Sequence, residues 1–394
     1  MISVEEAKNI VQQSTAMLVQ IKVSLDEAAG LTLAESVFAK HDIPAFKQSS
    51  MDGYAINFKG WQKNGTLEIV GEMAAGAGYN FKLLPHQASR IFTGAPLPDG
   101  ADTVVMQEKI LTENNRLIIK DEQLEPKINT RAIGSEIKTG ELALRVGTFL
   151  SPAAIGFLAG IGTAEVAVYP LPKAAIIVTG NELQAIGKPL QFGQIYESNS
   201  FALKAVLQQF NIENVPVYHA VDTLESVTTI LQNALEQSDI ILLTGGVSVG
   251  DYDFVLQAAA NCGVETLFHK IKQRPGKPLF FGKKENKLVF GLPGNPSSVL
   301  SCFYQYVAPA LSKLSQQKNK IQTLQVPLLK PAKKPAGLTV FFKSYYDGNT
   351  AEILDAQESY RLSSFAKANC MVQINEGINE LNAGEIVDIY LLPV

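Results

Sequence analysis

The sequence predicts a multidomain α/β plus β protein. The expected parts are a doubly wound, mostly parallel α/β domain, a β-rich inserted domain, a helical linking segment and a small C-terminal β-barrel. Three observations predict this. Between residues 171 and 320 short apolar runs alternate with helical periodicities, the order that builds a parallel sheet covered on both faces. Between 41 and 137 short β-like runs alternate with Gly and Pro loops, flanked on both sides by helical patterns, so this stretch reads as an insertion. From residue 338 onward the pattern is short strands separated by turns, which fits a small barrel or sandwich. A chain of 394 residues is also too long for one ordinary core.

The expected linking and dimerisation domain comprises 1–40 with 138–170. Ser3 followed three residues later by Glu6 is a capping box, and Val4, Ala7, Ile10 and Val11 follow at helical spacing. Ser24 and Glu27 repeat that spacing and predict a second helix over 25–35. Ser151-Pro152 is an N-cap and N1 pair for a helix reaching about Ala159. In the inserted domain, 41–137, strands are expected at 67–70, 103–107 and 116–119, with a hairpin turn at Glu113-Asn114-Asn115.

The α/β domain, 171–320, should hold strands at 174–178, 214–218, 240–243, 279–281 and 288–290. Its helices are expected at 200–209 (capped by Asn199 or Ser200), 224–237, 254–262 and 296–314. Residues 318–335 read as a polar, Lys- and Pro-bearing link. The C-terminal domain, 321–394, should place strands at 340–345, 351–354, 371–374 and 386–392, with a turn at Asp347-Gly348.

Bulk properties exclude several classes. The net charge is −4, without the basic surplus a nucleic-acid backbone binder carries. Cys262, Cys302 and Cys370 are far apart and form no CxxC pair, which argues against a zinc site or a disulfide scaffold. Met1-Ile-Ser-Val-Glu-Glu lacks a basic region followed by an apolar one, and no apolar run approaches the roughly 20 residues of a membrane helix. A reducing, cytoplasmic setting is expected, with no membrane or nucleic-acid partner. The histidines (His41, His86, His219 and His269) show no HxH or HExxH spacing, and no Ser/His/Asp signature indicates covalent catalysis.

Chemistry concentrates in the stretch from Asp239 to Asp253. An apolar strand, Ile240 to Leu243, leads into a loop with Gly245, Gly246, Ser248 and Gly250, and then into Asp251 and Asp253. Glycines let backbone amides approach an anion, and carboxylates at the exit can hold a divalent cation, so the stretch reads as a phosphate and Mg²⁺ site. Two further junctions share the design: Thr179-Gly180-Asn181-Glu182, and Gly291-Leu292-Pro293-Gly294-Asn295-Pro296. All three should lie at the carboxyl edge of one sheet, where open α/β sheets bind ligands. Asn295 is expected to cap the helix starting at Pro296, whose free amides would favour an anion. None of the three matches GxxxxGK[ST] or GxGxxG, which argues against a Walker-type ATPase and a dinucleotide fold.

The segment Lys270 to Pro278 presents Lys272, Arg274 and Lys277 between prolines, an arrangement suited to an oxyanion such as phosphate or molybdate. In the inserted domain Asp52 precedes a Gly turn, and 72–78 and 92–98 are Gly- or Pro-bearing loops. Arg131 and Glu136 sit where that domain returns to the helices. Taken singly, each of these is a plain turn or a surface charge.

Seven motifs occur in one order: Ser50-Met-Asp-Gly-Tyr-Ala55, Phe92-Thr-Gly-Ala-Pro-Leu-Pro98, Val104-Val-Met-Gln-Glu108, Thr179-Gly-Asn-Glu-Leu183, Thr244 through Asp253, Arg274-Pro-Gly-Lys-Pro278 and Gly291-Leu-Pro-Gly-Asn-Pro296. With them the chain closely resembles the molybdopterin molybdenumtransferases, the MoeA family that includes the E domain of gephyrin. The resemblance spans nearly the whole chain. It implies insertion of molybdenum from molybdate into adenylylated molybdopterin, with Mg²⁺-dependent release of AMP. It also implies a homodimer whose active site lies between the α/β domain of one subunit and the β module of the other. A molybdopterin adenylyltransferase or downstream cofactor carriers are implied as partners.

Carried over position by position, the resemblance implies catalytic residues Asp52, Glu136, Glu182, Asp222, Asp253 and Lys277, with Arg274 and Lys277 as the basic positions. Glu182 and Asp253 are the implied metal residues. Thr93, Arg131, Gly245, Gly246, Ser248, Gly250, Arg274, Pro293 and Pro296 are the implied substrate contacts. Several positions depart from the family pattern: Gly134-Ser135-Glu136 replaces Gly-Glu-Asp, Ala132 and Ile133 replace arginines, Asn181 stands where Asp is common, and Glu197 replaces an Asp. Two competing expectations follow, a molybdopterin adenylyltransferase and a catalytically silent cofactor-binding scaffold.

Overall fold

The computed structural model describes residues 1–246 and 254–393. The chain divides into two compact units, one of 1–22, 30–34 and 167–394, the other of 23–29 and 35–166. The result is a multidomain α/β fold with mixed sheets and a half-barrel sheet. The four-part division expected from sequence is finer than this one.

The second unit is built on a six-stranded sheet. Its order is Thr103–Met106, Gly53–Ile56, Gln87–Ile91, Thr66–Met73, Arg116–Ile119, Ile110–Glu113. Alternating side chains fill a core on each face. Ala55, Met73, Ile91 and Val104 lie on one, and Ile56, Leu67, Ala88, Val105 and Leu117 on the other. The expected hairpin turn is present, with Asn114 and Asn115 at φ 49° and 63°. Helix Phe58–Asn64, capped by the Asn57 side chain accepting from the Gly60 amide, lies inside the stretch read as β-rich. The helix Pro152–Gly160 forms where Ser151-Pro152 predicts it.

The helix expected over 25–35 does not form. Ser24 does hydrogen-bond the Glu27 carboxylate, but only a turn follows, and Gly30 takes φ 80°. Thr32–Leu33 then forms a strand, whose residues pair with Tyr169 and Val168. A capping pattern followed by a left-handed glycine within one and a half turns cannot propagate a helix.

In the first unit α1 (Val4–Ser14) carries the expected capping box. The α/β part then runs β1 (Ala174–Thr179), α2 (Asn199–Gln209), β2 (Val217–Ala220), α3 (Leu224–Gln237), β3 (Ile240–Thr244), α4 (Phe254–Asn261), β4 (Glu265–His269), β5 (Phe280–Lys284), β6 (Lys287–Leu292), α5 (Pro296–Cys302) and α6 (Ala308–Leu314). The sheet order is β2-β1-β3-β6-β5-β4. The first four strands are parallel, β5 pairs antiparallel with β6, and β4 pairs antiparallel with β5, so that only β5 is reversed. Successive residues of β1 and β3 point to opposite cores. Ile176, Val178, Ile240 and Leu242 pack with α1, α2, α5 and α6, while Ala175, Ile177, Ile241 and Leu243 pack with α3 and α4. Both faces are covered, as near-continuous apolar strands require.

Local boundaries differ from the sequence reading for identifiable reasons. The strand expected at 214–218 starts at Val217, after Asn214 at φ 55° and Pro216. The helix expected over 296–314 passes through a π-helical turn, Phe303–Val307, between α5 and α6. Pro309 lacks an amide and crowds the carbonyl four residues back, and a widened turn relieves that clash.

The C-terminal sheet is ordered Gln273–Arg274, β8 (Thr339–Tyr346), β9 (Cys370–Ile374), β10 (Ile386–Leu391), β7 (Gln322–Pro327). β7 lies in the stretch read as a polar link. Its inward Leu324 and Val326 pack with Val387 and Ile389, but the outward Gln and Thr residues masked that alternation.

Candidate active site

Parallel pairing puts Val178 opposite Thr244 and Thr244 opposite Leu292, so the loops after β1, β3 and β6 leave one edge of the sheet together. They meet closely. Gly245 has φ +89°, and a Cβ there would lie 2.2 Å from the Thr179 carbonyl oxygen. A Cβ on Gly294 would lie 3.9 Å from the Gly245 Cα. Glycine at 245 is therefore required by contact as well as by torsion.

These loops line a cleft of about 490 Å³, whose walls include Thr179, Glu182, Thr244, Gly245, Pro293, Asn295 and Pro296. The polar equipment is incomplete. Thr244 Oγ1, Asn199 Oδ1 and Ser297 Oγ are buried with no hydrogen-bond partner among the described residues. Thr244 and Asn199 line the cleft. Buried polar atoms without partners are uncommon, and here they edge a cavity that can admit a polar ligand.

Asp222, at the end of β2, reaches the same edge. It accepts from the Thr179 hydroxyl and from the Asn181 amide at 3.1 Å. Glu197 is 5% exposed and also lines the cleft, yet both its oxygens accept from Ser200, from the amide and the hydroxyl. The N-cap of α2 is Ser198 rather than the expected Asn199 or Ser200, and the Glu197 carboxylate takes the Ser200 amide of the first turn. Asn199 instead donates to the Gly294 carbonyl at 2.9 Å.

The α5 terminus differs from expectation. Pro296 opens the helix, but Asn295 makes no side-chain cap bond. Its amide group donates to Ser359 Oγ at 3.0 Å. The Ser297 amide donates to the Ser359 carbonyl, and those of Ser298 and Val299 to the Asn295 carbonyl. The first amides are taken, so this terminus is not a free anion site.

Arg274 and Lys277 are exposed, and neither pairs with a carboxylate among the described residues. Lys277 precedes Pro278, which lines the cleft. Prolines alone do not fix this loop. Gln273, 1% exposed, donates to the carbonyls of Pro275 at 3.1 Å and Gly276 at 3.2 Å, and accepts from the Tyr306 hydroxyl. Gly276 sits against Cys302, where a Cβ would come within 2.4 Å of the sulfur. Burial pushes the Cys302 thiol up to about 12, so it is an inert packing group. Sequence reasoning missed Gln273, because a glutamine beside charged residues reads as surface.

In the second unit the candidates also gather. Asp52 accepts from the Thr93 amide at 2.7 Å and hydroxyl at 2.8 Å, and these bonds hold its carboxyl below the usual range. Arg131 pairs with Gln48 in a two-stranded ladder, and the Glu136 amide donates to the Ile43 carbonyl at 2.9 Å. Segment 43–52 thus carries Asp52 and neighbours Thr93, Arg131 and Glu136. Arg131 and Glu136 are exposed. Within the first unit, Glu182, Asp222, Gly245, Pro293 and Pro296 come together around one sheet edge; Gly246 follows Gly245 with φ 60°. Ser248, Gly250 and Asp253 lie outside the described residues. Among the described residues no three His, Cys, Asp or Glu side chains form a metal-binding group, and no helix is long and apolar enough to cross a membrane.

Comparison with known proteins gives matches along most of the chain. Residues 2–162 match the MoeA N-terminal region (domain I and II), 175–313 the probable molybdopterin binding domain, and 325–392 the MoeA C-terminal region (domain IV). The molybdopterin molybdenumtransferase of Haemophilus influenzae is 34% identical over 397 residues, covering 99% of this chain and 98% of that protein. That of Nostoc sp. is 39% identical over 300 residues, covering 74% and 69%. A crystal structure of the molybdopterin biosynthesis MoeA protein from Pyrococcus horikoshii superposes with a TM-score of 0.84 at 29% identity, covering 99% of each chain. The chain belongs to the molybdopterin molybdenumtransferase (MoeA) family, transferases of molybdenum cofactor biosynthesis.

Proposed function

We propose that this protein takes adenylylated molybdopterin and molybdate, inserts molybdenum into the dithiolene and releases AMP. One observation carries this reading. The glycine loops after β1, β3 and β6 converge on a cleft whose buried Thr244 and Asn199 oxygens have no partner among the described residues. In this reading Gly245 and Gly246, with Ser248 and Gly250, hold the phosphates through backbone amides. Arg274 and Lys277 bind molybdate and offset charge as the phosphoanhydride is cleaved. Thr93 and Arg131 contribute from the β module, Asp52 and Glu136 supply its carboxylates, and Pro293 and Pro296 shape the cleft wall.

Mg²⁺ is the metal proposed here, and Glu182 is the carboxylate lining the cleft that could serve it. That ion commonly uses one or two carboxylates, with waters and substrate phosphates completing its shell. Glu182 would hold it or its waters, with Asp253 as the second carboxylate. Bound there, the ion would neutralise phosphate charge. Asp222, already occupied by Thr179 and Asn181, orients the loop after β1.

The assay is AMP release from molybdopterin-AMP with Mg²⁺, with and without molybdate. Molybdate-dependent release is expected. AMP-transfer to molybdopterin from ATP alone would establish the adenylyltransferase instead, and inactivity in both would establish the silent scaffold. The homodimer with a shared site makes a separate demand. Mixing inactive Asp52→Ala subunits with inactive Lys277→Ala subunits should restore turnover, because a mixed dimer holds one intact site. Exposed Ile186, Leu190, Phe192 and Ile195, all in the segment after β1, support a face covered by a partner. No restoration on mixing sinks the shared site. A cytoplasmic setting fits a substrate of this kind.

A further inference from the structure

The C-terminal sheet sends residues 354–364 back to the cleft. Ser359 is tied to the start of α5 through the Ser297 amide and the Asn295 side chain, each at 3.0 Å. The next residue, Tyr360, lines the cleft beside Gly245, Pro293 and Gly294 and is 61% exposed. The Arg361 guanidinium lies 5.7 Å from the Tyr360 ring centroid and pairs with Glu358 at 3.3 Å.

What holds this loop is a buried lysine. Lys343, on β8, is 2% exposed, and burial lowers its pKa. Its Nζ donates to the carbonyls of Ala356 at 2.7 Å, Arg361 at 3.0 Å and Glu358 at 3.3 Å. Gln357 adds bonds to the Lys343 carbonyl at 2.8 Å and amide at 3.0 Å. A buried ammonium is costly, and leucine or methionine would fill the space without that cost. What the lysine adds is three donors that specify one loop shape.

We propose that Tyr360 is a substrate-binding wall that stacks on a planar nitrogen heterocycle of the substrate, and that Lys343 is its positioning residue. This rests on the function proposed above, whose substrate carries two such rings, a pterin and an adenine. Their shared chemistry is a flat π-face, which tyrosine recognises whatever the edge groups.

The test compares wild type with Tyr360→Leu, Tyr360→Trp, Lys343→Met, Lys343→Arg and the double variant Tyr360→Leu/Lys343→Met. Readouts are KM and kcat for AMP release, and equilibrium binding of AMP and of neopterin. Y360L is expected to raise KM about tenfold, with the effect in KM rather than kcat. Y360W should keep the low KM. K343M should raise KM similarly, K343R should restore it, and the double variant should add little to Y360L, since both act through one ring. Weakened AMP binding alone identifies adenine as the stacked ring, and weakened neopterin binding alone identifies the pterin; either supports the inference. Unchanged KM and unchanged binding of both probes in Y360L overturn it, as does a K343M defect that adds fully to Y360L. Failure of the function proposed above is read separately, as absence of molybdate-dependent AMP release in wild type. AMP or neopterin binding that still depends on Tyr360 then keeps the stacking wall.

Discussion

The Thr179 hydroxyl at the end of β1 donates to the Asp222 carboxylate just beyond β2, and the same carboxylate takes the Asn181 amide. Two adjacent parallel strands are thereby tied at the edge that bears the cleft, and the loop carrying Glu182 is fixed at its start. Asp222→Ala leaves the Thr179 hydroxyl, on a residue 4% exposed, without its acceptor. An unsatisfied buried donor costs about 1–3 kcal/mol, and each kcal/mol lowers Tm by roughly 2–4 °C in a domain of this size. Calorimetry should show that drop together with slower AMP release. A variant with wild-type Tm and turnover would remove Asp222 from the site.

The Asp52–Thr93 contact predicts a pH dependence. The Thr93 amide and then its hydroxyl hold the Asp52 carboxyl below its ordinary value of 3.8. With the folded pKa depressed, the contact's stabilisation is fully present above that ordinary value and is lost as pH falls through the folded pKa. A carbon-13 titration of Asp52 should give a midpoint below the ordinary value. Thr93→Ala should raise it part of the way, since the amide bond survives. A midpoint at or above the ordinary value would show that the contact does not form in solution.

How far the sequence specifies this arrangement depends on whether a signal is local. The strands from Ala174, Ile240 and Lys287, and the glycines after them, are written in contiguous residues, so the sheet edge and its loops could be read directly. Gln273 and Lys343 could not. Each is polar and nearly fully buried, and each has partners distant in sequence, Tyr306 for one and the segment 356–361 for the other. Ser24 with Glu27 misleads in the opposite way: the local contact forms, but Gly30 ends any helix there. The occupied amides at the start of α5 depend on Ser359, which no local pattern announces.

Gln273 leads to a prediction about molybdate. Its side chain ties the backbone between Arg274 and Lys277 to Tyr306, whose hydroxyl is buried. Gln273→Leu keeps most of the volume and removes those bonds. The two cationic side chains then sample more positions, and half-saturation by molybdate should rise about tenfold, equivalent to about 1.4 kcal/mol. Equilibrium binding of molybdate, measured beside Lys277→Ala, decides the point. An unchanged half-saturation of binding in Gln273→Leu with a raised one in Lys277→Ala would show that loop fixation is irrelevant.

Gly245 and Gly294 face each other across the sheet edge, but they differ in what they tolerate. Gly245 has φ +89°, and its Cβ would strike the Thr179 carbonyl oxygen at 2.2 Å. Gly294 has no positive φ, and its Cβ would meet only the Gly245 Cα, at an ordinary 3.9 Å. Gly245→Ala therefore combines left-handed strain of roughly 1–2 kcal/mol with a backbone clash that pushes the loop after β3 away from β1. Since the phosphates are proposed to rest on this loop, a displacement of about 1 Å should cost on the order of a hundredfold in AMP release. Gly294→Ala should lower Tm by less than Gly245→Ala, because no backbone atom must move. The pair is read by Tm and AMP release together. Equal losses in both variants would mean that the approach of Gly245 to Thr179 does not shape the site, and that the cleft's geometry is set elsewhere.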